Sequence, residues 1–361
     1  MLKPRKTLET VPSYHPPLAG RHGMRLDFNE NTVGCSPRVL ERLRSISPEE
    51  LAKYPEREPV EVKVAKFLGV SAEEVLLTNG VDEAIHLMCE TYLEPGDEAV
   101  VAVPTYSMYR IYVMAAGAKL VSVPLEKDFA FCSKNIIAAL TEKTRFVAIA
   151  NPNNPTGTVA SAQDLYAIAQ AAPNAAVLID EAYFEFYGRS VLADRRLQNV
   201  FVARTFSKVY GMAGLRLGVL VGATEQMQAV RRSASPYNVN AIALACLPEA
   251  IADRAYVQAY VSEVKQSRSR LESNLAAVGI QYWQSEANFV LARVEGNAAA
   301  AAVFCNAMRQ RGILVRDRSA DYGCEGCVRI TLGPKEHCDR LLAVLQEVFD
   351  ELGIAEGVSG R

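Results

Sequence analysis

Short, nearly continuous apolar runs recur along the first two thirds of the chain, at residues 75–77, 99–103, 120–123, 146–149, 177–179, 200–202 and 218–221. A strand covered on both faces shows no polar alternation, so these runs read as strands of a buried sheet. Helical stretches at 60–68 and 82–92 and turn signals at Asn79-Gly80 and Pro95-Gly96-Asp97 separate several of them. Strands interleaved with helices predict an α/β domain whose sheet is mostly parallel and flanked by helices. After about residue 245 the texture changes. A long helix over 250–277 precedes a strand at 289–293, a helix at 298–311, strands at 313–316 and 328–332, and a closing helix at 335–352. That order predicts a smaller α+β domain. The first 27 residues, rich in proline and polar groups, read as an extended arm. The expected division is an arm over 1–27 packing with the small domain and the active site, a large domain over 28–245, and a small domain over 246–361.

Composition narrows the classes. The chain has 361 residues, 50% of them hydrophobic and 22% charged, enough to build two globular domains. Its 39 basic and 41 acidic residues nearly cancel, which argues against a nucleic-acid partner. No apolar run approaches the roughly 18 residues of a membrane span. The basic start MLKPRKTLETVPSYHPP has no apolar stretch behind it and does not read as a secretory signal. Eight cysteines are too dilute for a disulfide scaffold, and the expected home is a reducing cytoplasm. Cys324 and Cys327 have C-x-x-C spacing, with His337 and Cys338 further on. A structural zinc site usually pairs two such knuckles, and a neighbouring His-Cys fits that role poorly. Two thiols in a turn, and no metal, is the expectation.

Ligands of an open α/β sheet bind beyond the carboxyl ends of its strands, and polar residues gather at such ends here. Thr78-Asn79-Gly80-Val81-Asp82 follows one strand and opens a helix. It is a phosphate cradle of backbone N–H groups, or a plain turn with Asp82 as helix cap. Asn151-Pro152-Asn153-Asn154-Pro155-Thr156-Gly157 follows another, a rigid loop carrying three amides. Asp180 closes an apolar run and needs a cationic partner if it is desolvated. Thr205-Phe206-Ser207-Lys208, with Arg216 eight residues beyond, supplies hydroxyls and cations suited to a phosphate. Lys208 is either a further phosphate ligand or a nucleophilic amine, if its surroundings depress its pKa.

The order of these motifs carries more than any one of them. YPE (54–56), NPNNPTG (151–157), DEAY (180–183), RTFSKVYGMAGLRLG (204–218) and VRITLG (328–333) together resemble the fold-type I pyridoxal-phosphate aminotransferases, in particular their histidinol-phosphate branch. The resemblance implies pyridoxal 5'-phosphate as cofactor and Lys208 as the amine that holds it and moves the proton. Asp180 would pair with the ring nitrogen, and Asn154 and Tyr183 with the ring oxygen. Tyr106 would stack on the ring. Gly80, Val81, Asp82, Thr205, Ser207 and Arg216 would surround the phosphate, and Tyr54 would reach the phosphate in the partner subunit of a homodimer. Arg329, Arg316 and Tyr14 would take the substrate's anionic group, although Arg316 beside Asp317 is also a candidate structural ion pair. The implied reaction moves an amino group from histidinol phosphate to 2-oxoglutarate. Alternatives on the same scaffold are an aromatic amino-acid aminotransferase and a threonine-phosphate decarboxylase. The chain departs from the family at Asn29-Glu30-Asn31-Thr32, where proline usually follows the second asparagine, and at Val219, where tyrosine is common.

Overall fold

The computed structural model describes residues 2–13, 15, 20–192 and 197–354. Numbered along the chain, its strands are β1 (Met24–Arg25), β2 (Val75–Thr78), β3 (Glu98–Val103), β4 (Lys119–Pro124), β5 (Thr144–Ala150), β6 (Ala176–Asp180), β7 (Val200–Thr205), β8 (Gly218–Val221), β9 (Gln281–Trp283), β10 (Phe289–Arg293), β11 (Ile313–Leu314), β12 (Arg316–Asp317) and β13 (Cys327–Thr331).

Seven strands form the central sheet in the order β2-β8-β7-β6-β5-β3-β4. The five from β4 to β7 run parallel, and β8 runs antiparallel to both its neighbours. The reason lies in the connections. A parallel neighbour needs a crossover long enough for a helix, such as Met108–Ala116 between β3 and β4. Between β7 and β8 the chain makes only a short 3-10 turn, Ala213–Leu215, and returns alongside. That return segment carries Lys208 and Arg216.

Both faces of the sheet are covered, which explains the unbroken apolar runs. Leu76, Val101, Ala148, Leu178 and Phe201 pack on one side against Ala84, Ile85 and Met88 of the helix Gly80–Tyr92. Leu77, Val100, Val147, Val177 and Val202 belong to the core on the other side. A second sheet, β12-β13-β10-β9, is antiparallel throughout. The helices Arg254–Ala277, Ala298–Gln310 and Lys335–Leu352 contribute buried residues to the same core. The architecture is the α/β sheet with a smaller antiparallel one that the sequence pattern predicts.

Three elements differ from that pattern. The helix expected over 250–277 is two, Ala241–Ala252 and Arg254–Ala277. Asp253 breaks it by leaving helical dihedrals and accepting a hydrogen bond from the Tyr256 N–H, an N-cap inside an otherwise helical run. The strand expected over 313–316 is split. β11 pairs with β1, so the N-terminal stretch is sewn to this part of the chain, while β12 pairs with β13. The arm also folds locally, with a 3-10 turn at Lys6–Thr10 whose Thr7 sits near Gly117.

Cys324 and Cys327 lie in a turn, with the Cys327 N–H donating to the Cys324 carbonyl (2.9 Å), and their thiols hydrogen-bond each other. His337 bonds Thr32 (2.8 Å) and Cys338 bonds the Ser267 carbonyl, so neither turns toward the pair. Among the described residues no group of three or more His, Cys, Asp or Glu side chains is placed to hold a metal, and no helix is long and apolar enough to cross a membrane.

Candidate active site

The carboxyl ends of β2, β3, β5, β6 and β7 share one edge of the sheet, and each is followed by one of the motifs noted above. After β2 the chain turns at Gly80, with φ +78, into the helix Gly80–Tyr92. A Cβ there would stand 2.8 Å from Arg216 Nη2, and one at Gly218 would stand 2.7 Å from the Gly80 carbonyl carbon. Glycine at both positions lets the backbone N–H groups of the helix start, the guanidinium of Arg216 and the hydroxyls of Thr205 and Ser207 converge. The helix start also carries the positive end of its dipole. Such a concavity suits a phosphate. Asp82 is not the helix cap, which is Asn79; it sits in the first turn. There it pairs with Arg216 (2.9 Å) and accepts from the Tyr106 hydroxyl (2.7 Å). Val81 lies beside it, 9% exposed.

Asp180 ends β6 at 4% exposure. Its Oδ1 accepts from the Ala182 N–H (3.0 Å) and its Oδ2 from the Tyr109 hydroxyl (2.6 Å). Burial outweighs both donors and pushes the carboxyl up to about 6. Lys208 follows β7, and its ammonium donates to the Phe28 carbonyl (3.1 Å). Burial, with Arg329 nearby, pulls this amine down to about 8. The Lys208 ammonium lies 5.8 Å from the ring of Tyr183, three residues beyond Asp180, so both groups belong to the same edge of the sheet. A depressed amine suits a nucleophile, and a buried carboxyl that is still ionised above about pH 6 can partner a protonated ring nitrogen.

Arg329 closes the other end of the pocket from β13. Its Nη1 donates to Asn154 Oδ1 and its Nη2 to the Asp27 carbonyl, both at 2.6 Å. Burial brings its guanidinium down to about 10. Asn154 is thereby held by its carbonyl, leaving its NH2 to donate. The other two amides of the loop serve the loop itself. Asn151 bonds the backbone of Ala160 in both directions, and Asn153 donates to the Pro104 carbonyl and accepts from Thr105. The Tyr183 hydroxyl accepts from Asn29 (2.8 Å), and its ring lies 5.8 Å from the Lys208 ammonium. Arg316 lies over the Phe28 ring at 5.3 Å.

The fold thus brings together Gly80, Val81, Asp82, Tyr106, Asn154, Asp180, Tyr183, Thr205, Ser207, Lys208, Arg216, Arg316 and Arg329. Tyr54 stands apart at the surface, 78% exposed, its ring stacked on Tyr237. Tyr14 lies outside the described residues. Sequence reasoning missed Tyr109, Phe28 and Asn29. Nothing local marks Tyr109, since its contact with Asp180 spans 71 residues. Phe28 acts through its carbonyl, which no side-chain motif reveals. Asn29 lies just past the expected arm, in a stretch singled out only for its departure at Thr32, and its φ of +57 is a conformation that asparagine tolerates well.

A second layer fixes the strand that carries Asp180. Glu181, 2% exposed, receives Arg204 (3.0 Å), the Ser190 hydroxyl and the Val191 N–H, and Arg204 also covers the Phe184 ring at 3.5 Å. Removing one partner leaves the other charge buried and alone. Arg204→Leu is therefore expected to destabilise the protein by about 3–5 kcal/mol. Denaturant unfolding at pH 7 measures this; a loss below about 1 kcal/mol would show the pair to be incidental.

Comparison with known proteins bears on the same residues. Residues 21–345 match the model of the family described as aminotransferase class I and II. The histidinol-phosphate aminotransferase of Geobacillus sp. (strain WCH70) is 34% identical over 338 residues, spanning 91% of this chain and 90% of that protein. The enzyme of the same name from Dinoroseobacter shibae is 36% identical, spanning 88% and 89%. The crystal structure of histidinol-phosphate aminotransferase from Sinorhizobium meliloti in complex with pyridoxal-5'-phosphate superposes with a TM-score of 0.89 at 27% identity, covering 98% of this chain and 99% of that one.

Proposed function

This chain belongs to the class I and II aminotransferase family, and from that premise we propose that it transfers the amino group of histidinol phosphate to 2-oxoglutarate, yielding imidazole acetol phosphate and glutamate. The observation that carries the reading is the pairing of a depressed amine at Lys208 with a raised carboxyl at Asp180 in one pocket beside a glycine-lined phosphate cradle. The names of the relatives support the choice of substrate.

Pyridoxal 5'-phosphate suits these residues. Gly80, Val81, Asp82, Thr205, Ser207 and Arg216 would hold its phosphate, Tyr106 would cover its ring, Asn154 and Tyr183 would meet the ring oxygen, and Lys208 would anchor its aldehyde. Bound there, the cofactor draws electron density from the substrate's α-carbon. The chain's own residues do the rest. Asp180, ionised above about pH 6, keeps a proton on the facing nitrogen. Lys208 would take up and return the substrate's proton, and an amine near pH 8 is matched to both halves of that task. Tyr106, tied to Asp82, and Asn154, tied to Arg329, orient the ring from two sides. Arg329 and Arg316 take the substrate's anionic end.

The same reading includes a homodimer in which Tyr54 serves the neighbouring subunit's phosphate site. An exposed tyrosine stack with no role in its own pocket supports it. Eight free cysteines support a reducing compartment such as the cytoplasm.

Purified enzyme loaded with cofactor and supplied with 2-oxoglutarate tests the substrate. The expected kcat/KM for histidinol phosphate exceeds that for phenylalanine by about 100-fold or more, because a singly charged carboxylate answers less of the arginine pocket than a phosphate does and leaves buried donors unmet. Comparable turnover of phenylalanine would replace this reading with that of an aromatic aminotransferase. Release of carbon dioxide from threonine phosphate would replace it with a decarboxylase.

A further inference from the structure

We infer that Arg318 is a specificity-determining residue, a third guanidinium at the anionic end of the pocket that favours a doubly charged phosphate monoester over a singly charged carboxylate. This rests on the substrate reading above and extends it to a residue outside the motifs that suggested it.

The strand register makes the case. Arg316 faces Arg329 across the antiparallel pair β12–β13, and Asp317 faces Val328. The Arg318 N–H donates to the Cys327 carbonyl (2.9 Å), so the ladder continues one residue past β12. Residues two apart on a strand share a face, as do directly opposed residues. Arg316, Arg318 and Arg329 therefore stand on one side of the small sheet. That side looks onto Tyr183, where the charges of both Arg329 and Arg318 are felt.

Like charges on one face repel, and something must answer them. Within the described residues Asp321 does so in part. It is ion-paired to Arg318 across a turn closed by the Asp321 N–H and the Arg318 carbonyl (2.9 Å), and Arg329 and Arg316 also act on it. The nearby acids Asp27 and Glu30 are already taken, both by Arg21 and Glu30 also by Arg25. Arg293, which the same register places on this face, lies further along it over Trp283 and on the Gly323 carbonyl. Around Asp321, three cations against one carboxylate leave two positive charges for a ligand to meet. A phosphate monoester carries about two negative charges near pH 7, and a carboxylate carries one.

The donors point the same way. The Nε atoms of Arg318 and Arg329 are both buried and have no hydrogen-bond partner. Buried donors without partners are costly, and an oxyanion with several acceptor atoms satisfies more of them than a carboxylate does. The Arg318 side chain is 14% exposed, so a ligand bound there would be largely shielded from water. Asp321 then has a defined part: it holds Arg318 in place while the pocket is empty and competes with the ligand for it.

Steady-state kinetics of the cofactor-loaded enzyme tests this, with inorganic phosphate as a competing probe, since the cofactor's own phosphate cradle is then filled. Arg318→Gln is expected to raise KM for histidinol phosphate and the inhibition constant for phosphate by about 10- to 50-fold, while KM for 2-oxoglutarate moves less than about threefold. Arg318→Lys is expected to recover part of the loss. Asp321→Asn, which frees Arg318 from its counter-ion, is expected to lower the inhibition constant for phosphate. A purely structural role predicts instead that Arg318→Gln and Asp321→Asn fail alike, for both substrates. An unchanged phosphate inhibition constant in Arg318→Gln, or equal losses for phosphate and oxo acid in a variant that melts like the parent, overturns the inference. Were the parent enzyme inactive on histidinol phosphate, the substrate reading would fall, and phosphate inhibition measured with phenylalanine as amino donor would still decide the role of Arg318.

Discussion

Lys208→Ala is expected to lose turnover by roughly 10⁴-fold or more, equivalent to about 5.5 kcal/mol of transition-state stabilisation. In the proposed reaction one side chain anchors the cofactor and moves the proton, and alanine can do neither. The protein should still fold, and cofactor soaked into the variant should wash out on gel filtration where the parent retains it. The stability of the cofactor-free protein supplies an independent readout. The Lys208 amine falls from 10.5 to about 8 on folding. Below pH 8 the folded protein therefore carries a buried cation at a cost on the order of 3 kcal/mol, and that cost fades as pH rises from about 8 to 10.5. Lys208→Met keeps the volume and removes the charge. It is expected to melt higher than the parent at pH 7, with the gap closing toward pH 10. Retention of a tenth or more of parental turnover by the alanine variant would take Lys208 out of the mechanism.

Asp180→Asn is expected to lower the rate by roughly 10³-fold and to weaken cofactor binding, because a neutral amide supplies no charge to hold a proton on the opposing nitrogen. Here too stability moves opposite to activity. The carboxyl rises from 3.8 to about 6 on folding. Its contribution to stability is full below pH 4 and is lost as pH rises through 6, leaving a deficit on the order of 3 kcal/mol at neutral pH. The cofactor-free Asn variant should therefore unfold at a higher temperature than the parent at pH 8 and at about the same temperature at pH 4. Thermal scans across that range, paired with cofactor titration, separate the two effects. Full activity in the Asn variant would remove the electrostatic role assigned to Asp180. Both substitutions describe one trade: the pocket keeps two uncomfortable charges, and ligand binding relieves them.

Much of this was legible beforehand for local reasons. The strands β2 to β8 announced themselves because each holds a short apolar run bounded by turn residues, as a strand covered on both faces does; the edge strand β4, with a single buried residue, shows the pattern least. Lys208, Asp180 and Asn154 stood out as polar residues that follow such runs, but their expected roles came only from the resemblance that the order of the motifs carries. Less legible were a local cap that leaves the composition unchanged and pairings with partners remote in sequence. Asp253 broke a helix that periodicity alone carries through, since its capping bond needs only one turn of local geometry and no change in composition. The division of 313–316 between two sheets follows from β1, 288 residues away, which no pattern in that segment foretells.

By itself the sequence determined the layered α/β scaffold, the order of the chemical groups along it and the kinds of ligand those groups suit, because burial and turn chemistry act within a few residues. Only the tertiary structure decided how charged groups feel one another. The shifted amine of Lys208, the raised carboxyl of Asp180 with Tyr109 on its far oxygen, and the gathering of Arg316, Arg318 and Arg329 on one face all come from desolvation and from strand register, which are set by what packs around a residue and not by what adjoins it in the chain.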